Sequence, residues 1–345
     1  MAKNAPLSIT GVGLISPHGI GAEPLLDGSP VTPESGFISA PVDVAQYLGS
    51  KGLRHVDRTS RLAMISAMVA AKSAKLDLSA VGDTSGVVLS SAFGSYASQL
   101  NFNMTALEKG FVGVNPAQFP NTVMNSPAGQ VSIRLGITGL NTTISTGNTG
   151  VLDAMAYGAD MIRAGRVEAV LAGGVEAPCE TLARLFHHID WLGDDCLLAE
   201  GASFFVMEPQ AKARERGAES LALVNQPAAY FDPADFSAAL KQAIKLALGN
   251  ASLNASAIDA LITASDGLLT VHDMEAAVLS DMFGEQVQRI DILPHTGCCY
   301  SALSGMQIGA AFNALNDGAR NVLVCATNPE GQSAACVLQQ PGGGA

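Results

Sequence analysis

The sequence predicts a layered α/β protein assembled from two similar halves, and three observations predict it. Short apolar runs of strand length alternate with helical stretches along the chain. The alternation starts afresh near residue 219. The helix-turn-strand Met161-Ile-Arg-Ala-Gly-Arg-Val-Glu-Ala-Val-Leu-Ala-Gly-Gly has a counterpart in Ala314-Leu-Asn-Asp-Gly-Ala-Arg-Asn-Val-Leu-Val-Cys-Ala, which points to an internal repeat.

The elements follow in order. Residues 7–15 read as a buried strand ending in glycine turns. Residues 58–75 carry apolar side chains at helical spacing. Residues 86–91 form a strand, and 141–146 another that is rich in β-branched side chains. A helix follows over about 149–164, with Val151, Leu152, Met155, Ala159 and Ile162 on its apolar positions. Strands at 169–174 and 202–207 close the first half. In the second half, strands at 221–224, 260–264, 321–326 and 334–338 alternate with helices at 234–248, 273–283 and 301–315. The halves span 1–210 and 219–340 as one compact unit, and the charged stretch 208–218 is their crossover. The terminal Gln-Pro-Gly-Gly-Gly-Ala frays.

Composition narrows the function. The chain has 345 residues, 31 acidic against 19 basic side chains and a net charge of −12, which argues against non-specific nucleic-acid or anionic-membrane binding. Apolar residues at 48% and charged ones at only 14% suit an extensively buried protein, such as an oligomer subunit. No apolar run reaches membrane-span length and the N-terminus lacks a secretory apolar core, so a cytoplasmic protein is expected. The six cysteines show no zinc spacing and read as reduced core thiols. No Gly-x-Gly-x-x-Gly or P-loop implies a cofactor. His187, His188 and Asp190 do not converge as metal ligands, because neighbouring His side chains point apart.

The most informative stretch runs from Asn125-Ser-Pro-Ala-Gly-Gln-Val-Ser-Ile-Arg to Ile144-Ser-Thr-Gly-Asn-Thr-Gly-Val-Leu-Asp-Ala. It resembles the β-ketoacyl synthases of the thiolase superfamily, in which such a helix precedes a strand ending in Ser-Thr-Ala-Cys. Ile9-Thr-Gly-Val-Gly-Leu-Ile-Ser-Pro-His-Gly, Val56-Asp-Arg-Thr-Ser-Arg-Leu-Ala and Val170-Leu-Ala-Gly-Gly-Val-Glu-Ala resemble further segments of that family, in order. The resemblance implies a thiolase-like fold, two pseudo-duplicated halves in α-β-α-β-α layers. It also implies a site where a Cys at a helix N-terminus is acylated and two His side chains stabilise an enolate.

The sequence departs from that site at every chemical position. Asn148 stands at the nucleophile, and no Cys lies between residues 1 and 178. Asn148 either caps the following helix or keeps a role as an amide donor. Ser265 or Asp266 takes the first His position, and Cys298 falls on the second, with His295 near the family's Lys. The family's Gly-Phe-Gly-Gly loop is replaced by Ala326-Thr-Asn-Pro-Glu-Gly-Gln-Ser.

This pattern resembles one branch of the family, the chain-length factors or ketosynthase β subunits of type II polyketide systems. Val151-Leu-Asp-Ala, Pro294-His-Thr and Tyr300-Ser301 match it, although that branch carries Gln where this chain has Asn148. The resemblance implies a non-condensing subunit, without catalytic residues or cofactor of its own, in a heterodimer with a catalytic ketosynthase that engages acyl carrier protein. It implies that the strand around Thr142 and Ile144 pairs across the dimer. Phe119, Thr122, Val123 and Met124 are then tunnel-end or interface residues, or else ordinary core. Three alternatives remain open at this stage: a malonyl-carrier-protein decarboxylase, a homodimeric acyl-binding protein with no catalytic partner, and a thiolase-fold acyltransferase using Cys298 or Cys299, where the place of Cys298 near a helix start would lower its pKa.

Overall fold

A computed structural model describes residues 5–21, 25, 37–78, 80–189, 192, 196–265, 268 and 271–342. The strands are β1 (Leu7–Ser16), β2 (Gly19–Ile20), β3 (Ser85–Ser90), β4 (Leu140–Ile144), β5 (Ala169–Glu176), β6 (Gly201–Pro209), β7 (Ala222–Val224), β8 (Ala228–Phe231), β9 (Ala260–Thr263), β10 (Gln288–Asp291), β11 (Asn321–Thr327) and β12 (Gln332–Gln339). The helices are α1 (Val44–Leu48), α2 (Arg58–Ser73), α3 (Tyr96–Lys109), α4 (Ser126–Leu135), α5 (Gly150–Arg163), α6 (Glu180–His188), α7 (Gln210–Glu215), α8 (Phe236–Ala251), α9 (His272–Phe283), α10 (Leu293–Thr296) and α11 (Leu303–Asn316).

The duplication is written in the sheet order. One half runs β4-β3-β5-β6-β1 and the other β10-β9-β11-β12-β7, and the two join where β1 pairs with β7. The directions repeat as well. β3 is parallel to β4 and β5, while β5–β6 and β6–β1 are antiparallel. In the second half β9 is parallel to β10 and β11, while β11–β12 and β12–β7 are antiparallel.

Both sheet faces are covered, which is why these strands read as continuous apolar runs instead of alternating ones. In β6, Phe204 and Val206 face outward into a cluster with Leu62 and Ile65 of α2, while Phe205 and Met207 face the central layer. In β11, Leu323 and Cys325 join Leu240 and Ile244 of α8, while Val322 and Val324 face inward. The central layer is α5 and α11, whose apolar residues share one core with the inner faces of both sheets. Five layers result: α2 with α4, a sheet, α5 with α11, a sheet, and α8 with α9.

Glycine permits the outer contact. A Cβ at Gly11 would fall on the carbonyl oxygen of Ala70, and one at Gly13 on that of Ser66. Helix α2 therefore lies directly on β1. It starts at Asp57, whose side chain accepts the Ser60 N–H at 3.2 Å. Arg58 then grips the buried Glu200 with two hydrogen bonds of 2.9 and 2.7 Å.

The expected elements differ in detail. The crossover is narrower than 208–218, because Glu208 is the buried end of β6, bound by Arg216 and Thr10. The sequence pattern does not mark α1, α3, α6, α7, α10, β2, β8 and β10. Helix α3 buries no residue and so carries weak periodicity, and β10 is only four residues long.

Candidate functional site

The site lies at the N-terminal end of α5, reached from β4 through a tight turn. Gly147 adopts φ +59° there, and a Cβ at that position would stand 2.9 Å from Asn328 Oδ1 and 3.2 Å from Tyr300 Cε1. Only glycine suits both the conformation and the space. The next residue, Asn148, is 3% exposed. Its Nδ2 donates to the Thr327 carbonyl at 3.3 Å, and its Oδ1 is buried with no partner among the described residues.

The capping expectation for Asn148 is therefore corrected. Asn148 lies inside a 3₁₀ turn, Gly147–Thr149, and its amide reaches across to the β11–β12 hairpin instead of back to α5. The local hydrogen bonds come from neighbours. Asn328 Nδ2 donates to the Thr146 carbonyl at 2.5 Å and to Thr149 Oγ1 at 3.2 Å. Thr149 Oγ1 and Gln332 Nε2 donate to Asp153 Oδ2 at 2.8 and 2.9 Å. Burial raises the Asp153 carboxyl above its ordinary range, against these hydrogen bonds. The segment that replaces the Gly-rich loop thus ties the hairpin to the start of α5.

The space before Asn148 is almost gone. Asn148, Phe186, Leu192, Leu268, Val271, Tyr300 and Pro329 line a cavity of about 10 Å³, at the lower limit for one water molecule. A larger cavity of about 670 Å³, between Val12, Phe312 and Gln340, does not include Asn148.

Beside the site is a carboxyl that sequence reasoning passed over, Glu176 at the end of β5. It is 3% exposed. The Ala92 N–H donates to it at 2.5 Å and Ser91 Oγ at 3.3 Å, and the Phe93 N–H adds to the set. Burial pushes its pKa up to about 8. A lone Glu ending an apolar strand run was the available signal.

Cys298 does not have the environment of an activated thiol, and the expectation of a lowered pKa is corrected. It lies five residues before α11, bridged to Leu198. It is 1% exposed, and burial, with Glu176 adding, pushes its thiol up to about 12. His295 sits on α10, where its carbonyl meets His18 Nε2 at 2.6 Å.

At the first family His position, Asp266 lies outside the described residues. Ser265 is buried, and its N–H donates to Asp291 Oδ2 at 3.0 Å and its side chain to Glu275. Burial, helped by Asp291, raises Glu275 to about 8. His187 and His188 end α6, and Asp190 lies outside the described residues.

Of the expected tunnel and interface residues, Phe119 and Val123 are exposed, while Thr122, Met124, Thr142 and Ile144 are half-buried. Phe119 and Thr122 lie on a 3₁₀ stretch, Pro116–Thr122, ahead of α4, and Val123 and Met124 follow it. Phe119 is 59% and Val123 41% exposed. Leu107, Phe111, Val112 and Ile133 on neighbouring elements are more exposed still. Thr142 and Ile144 are half-buried on β4, which among the described residues pairs only with β3 and leaves its other edge open.

The comparisons agree with this architecture. Residues 20–189 match the family model "Beta-ketoacyl synthase, N-terminal domain". The chain is 27% identical over 325 residues to "Putative polyketide beta-ketoacyl synthase 2" of Streptomyces halstedii, covering 82% of this chain and 78% of that one. It is 25% identical over 356 residues to "Putative polyketide beta-ketoacyl synthase 1" of Streptomyces virginiae, covering 90% and 85%. In structure it is similar to "The ishigamide ketosynthase/chain length factor", with a TM-score of 0.87 at 21% identity, covering 98% and 100%.

The fold is that of the thiolase-like ketosynthases. Over residues 20–189 the chain is similar to the β-ketoacyl synthase family. No described helix is long and apolar enough to cross a membrane.

Proposed function

We propose that this chain is the non-condensing, chain-length-factor subunit of a polyketide or polyene ketosynthase heterodimer. The observation that carries the reading is Asn148 at the nucleophile position, in a space of about 10 Å³. A carboxamide forms no thioester intermediate. Among the described residues no histidine lines the space beside Asn148, and the candidate thiols Cys298 and Cys299 are held protonated by burial. The decarboxylase alternative has the same weakness, because a space of about 10 Å³ beside Asn148 has no room for a malonyl thioester.

The surface supports a partner. The open edge of β4, around Thr142 and Ile144, offers backbone hydrogen bonds to another strand. The apolar group around Phe119 and Val123 offers burial beside it. In this reading halves 1–210 and 219–340 act as one unit, a catalytic ketosynthase covers β4, and acyl carrier protein is engaged through that partner. Side-chain volume at Phe119, Thr122, Val123 and Met124 then limits the growing acyl chain, since overpacking costs about 1–3 kcal/mol.

The test is reconstitution of condensation from this chain, the ketosynthase encoded nearest its gene and a malonyl-loaded carrier protein. Asn148→Ala leaves turnover within twofold, and removal of the partner's nucleophile abolishes it. Loss of turnover in Asn148→Ala, with the partner intact, contradicts the proposal.

A further inference from the structure

Three aromatic rings meet beside Asn148. Phe93 follows β3, Phe186 lies on α6 and Tyr300 precedes α11. Their centroids are 5.1 Å apart for Phe93–Tyr300, 5.6 Å for Phe93–Phe186 and 5.8 Å for Phe186–Tyr300. The last two contacts are edge-on, a favourable aromatic geometry. Phe186 is 3% and Tyr300 8% exposed, and both line the residual cavity with Asn148. Tyr300 Cε1 is also among the atoms nearest Gly147.

The scaffold holds this cluster in place. Tyr300 adopts φ +42°, uncommon for a bulky residue, so its ring direction is fixed by the fold at a conformational cost. Glu176 takes N–H groups from Ala92 and Phe93. One buried carboxyl thereby anchors the backbone beside one of the three rings.

We infer that Phe93, Phe186 and Tyr300 form a plug that closes this chain's own acyl pocket, so that a growing apolar chain is excluded here. The inference rests on the proposed function for reading the space as a former acyl pocket, and its test is separate from that of the heterodimer. Phe186 and Phe93 occupy the volume an acyl chain would need, and Tyr300 lies over the turn that presents Asn148. Truncating two Phe side chains would open roughly 150 Å³ or more, a size at which apolar cavities stay dry and take up benzene or xenon.

The experiment uses the full chain, titrated with benzene and crystallised under xenon. The native chain shows no saturable benzene binding and no xenon beside Asn148. Phe93→Ala/Phe186→Ala binds benzene at least tenfold more tightly, with xenon between Asn148 and Tyr300. If that variant does not fold, Phe186→Ala and the native chain carry the test, with xenon expected only in the former. Xenon or benzene beside Asn148 in the native chain overturns the plug, as does a folded double variant without probe there. A chain that excludes the probe yet never pairs with a ketosynthase leaves the plug standing and sinks the partner reading.

Discussion

Replacing Glu176 with Gln removes a titration from the middle of the protein while keeping its shape. In the folded chain the carboxyl titrates near pH 8, because burial disfavours its charge, against an ordinary value of 4.5. Between those values the folded chain holds a proton that the unfolded chain has released. The resulting stability is whole below about pH 4.5 and drains away as pH rises through 8. One such group costs about 1.4 kcal/mol per pH unit within the window, or on the order of 3 kcal/mol between pH 5.5 and 7.5. Glu275, also raised to about 8, acts in the same direction and remains in the variant. Urea unfolding of both proteins across that range is the assay. The native chain loses about 3 kcal/mol more than Glu176→Gln between the two ends. Parallel curves, within about 0.5 kcal/mol, refute the reasoning that Glu176 is buried and protonated.

Three further outcomes follow from the same geometry. Gly11→Ala drives a Cβ into the Ala70 carbonyl and destabilises the chain by about 1–3 kcal/mol or more, read by urea unfolding; a neutral effect contradicts the close seat of α2 on β1. Asn148→Cys, paired with a ketosynthase lacking its own nucleophile, restores no condensation, because the space beside residue 148 is only about 10 Å³; measurable product overturns that view. Iodoacetamide at pH 8 labels the half-buried Cys179 in the folded chain and leaves Cys298 unlabelled until unfolding; rapid native labelling of Cys298 would revive the acyltransferase reading.

Much of the fold was legible because its elements are long and apolar. β5, β6, β11 and β12 are buried on both faces, so their sequences are unbroken apolar runs. The repeat between 161–174 and 314–326 corresponds to α5–β5 and α11–β11, equivalent elements of the two halves. The site was legible only by position. Asn148 could be placed, but not its partner, because Thr327 is 179 residues away. The Phe93–Phe186–Tyr300 cluster joins three distant segments, and nothing local in any of them marks it. Cys298 misled for a similar reason: closeness to a helix in sequence suggested activation, whereas burial by β6-side residues and Glu176 does the opposite. Phe119 and Val123 could not be told from core residues, because exposure is a tertiary property.

The most direct test of the account is native mass spectrometry of this chain, alone and coexpressed with the ketosynthase encoded nearest its gene. The account predicts a one-to-one heterodimer that Phe119→Asp weakens, since burying the open part of that ring contributes about 3 kcal/mol, or roughly a hundredfold in Kd. A stable homodimer that ignores the ketosynthase contradicts it.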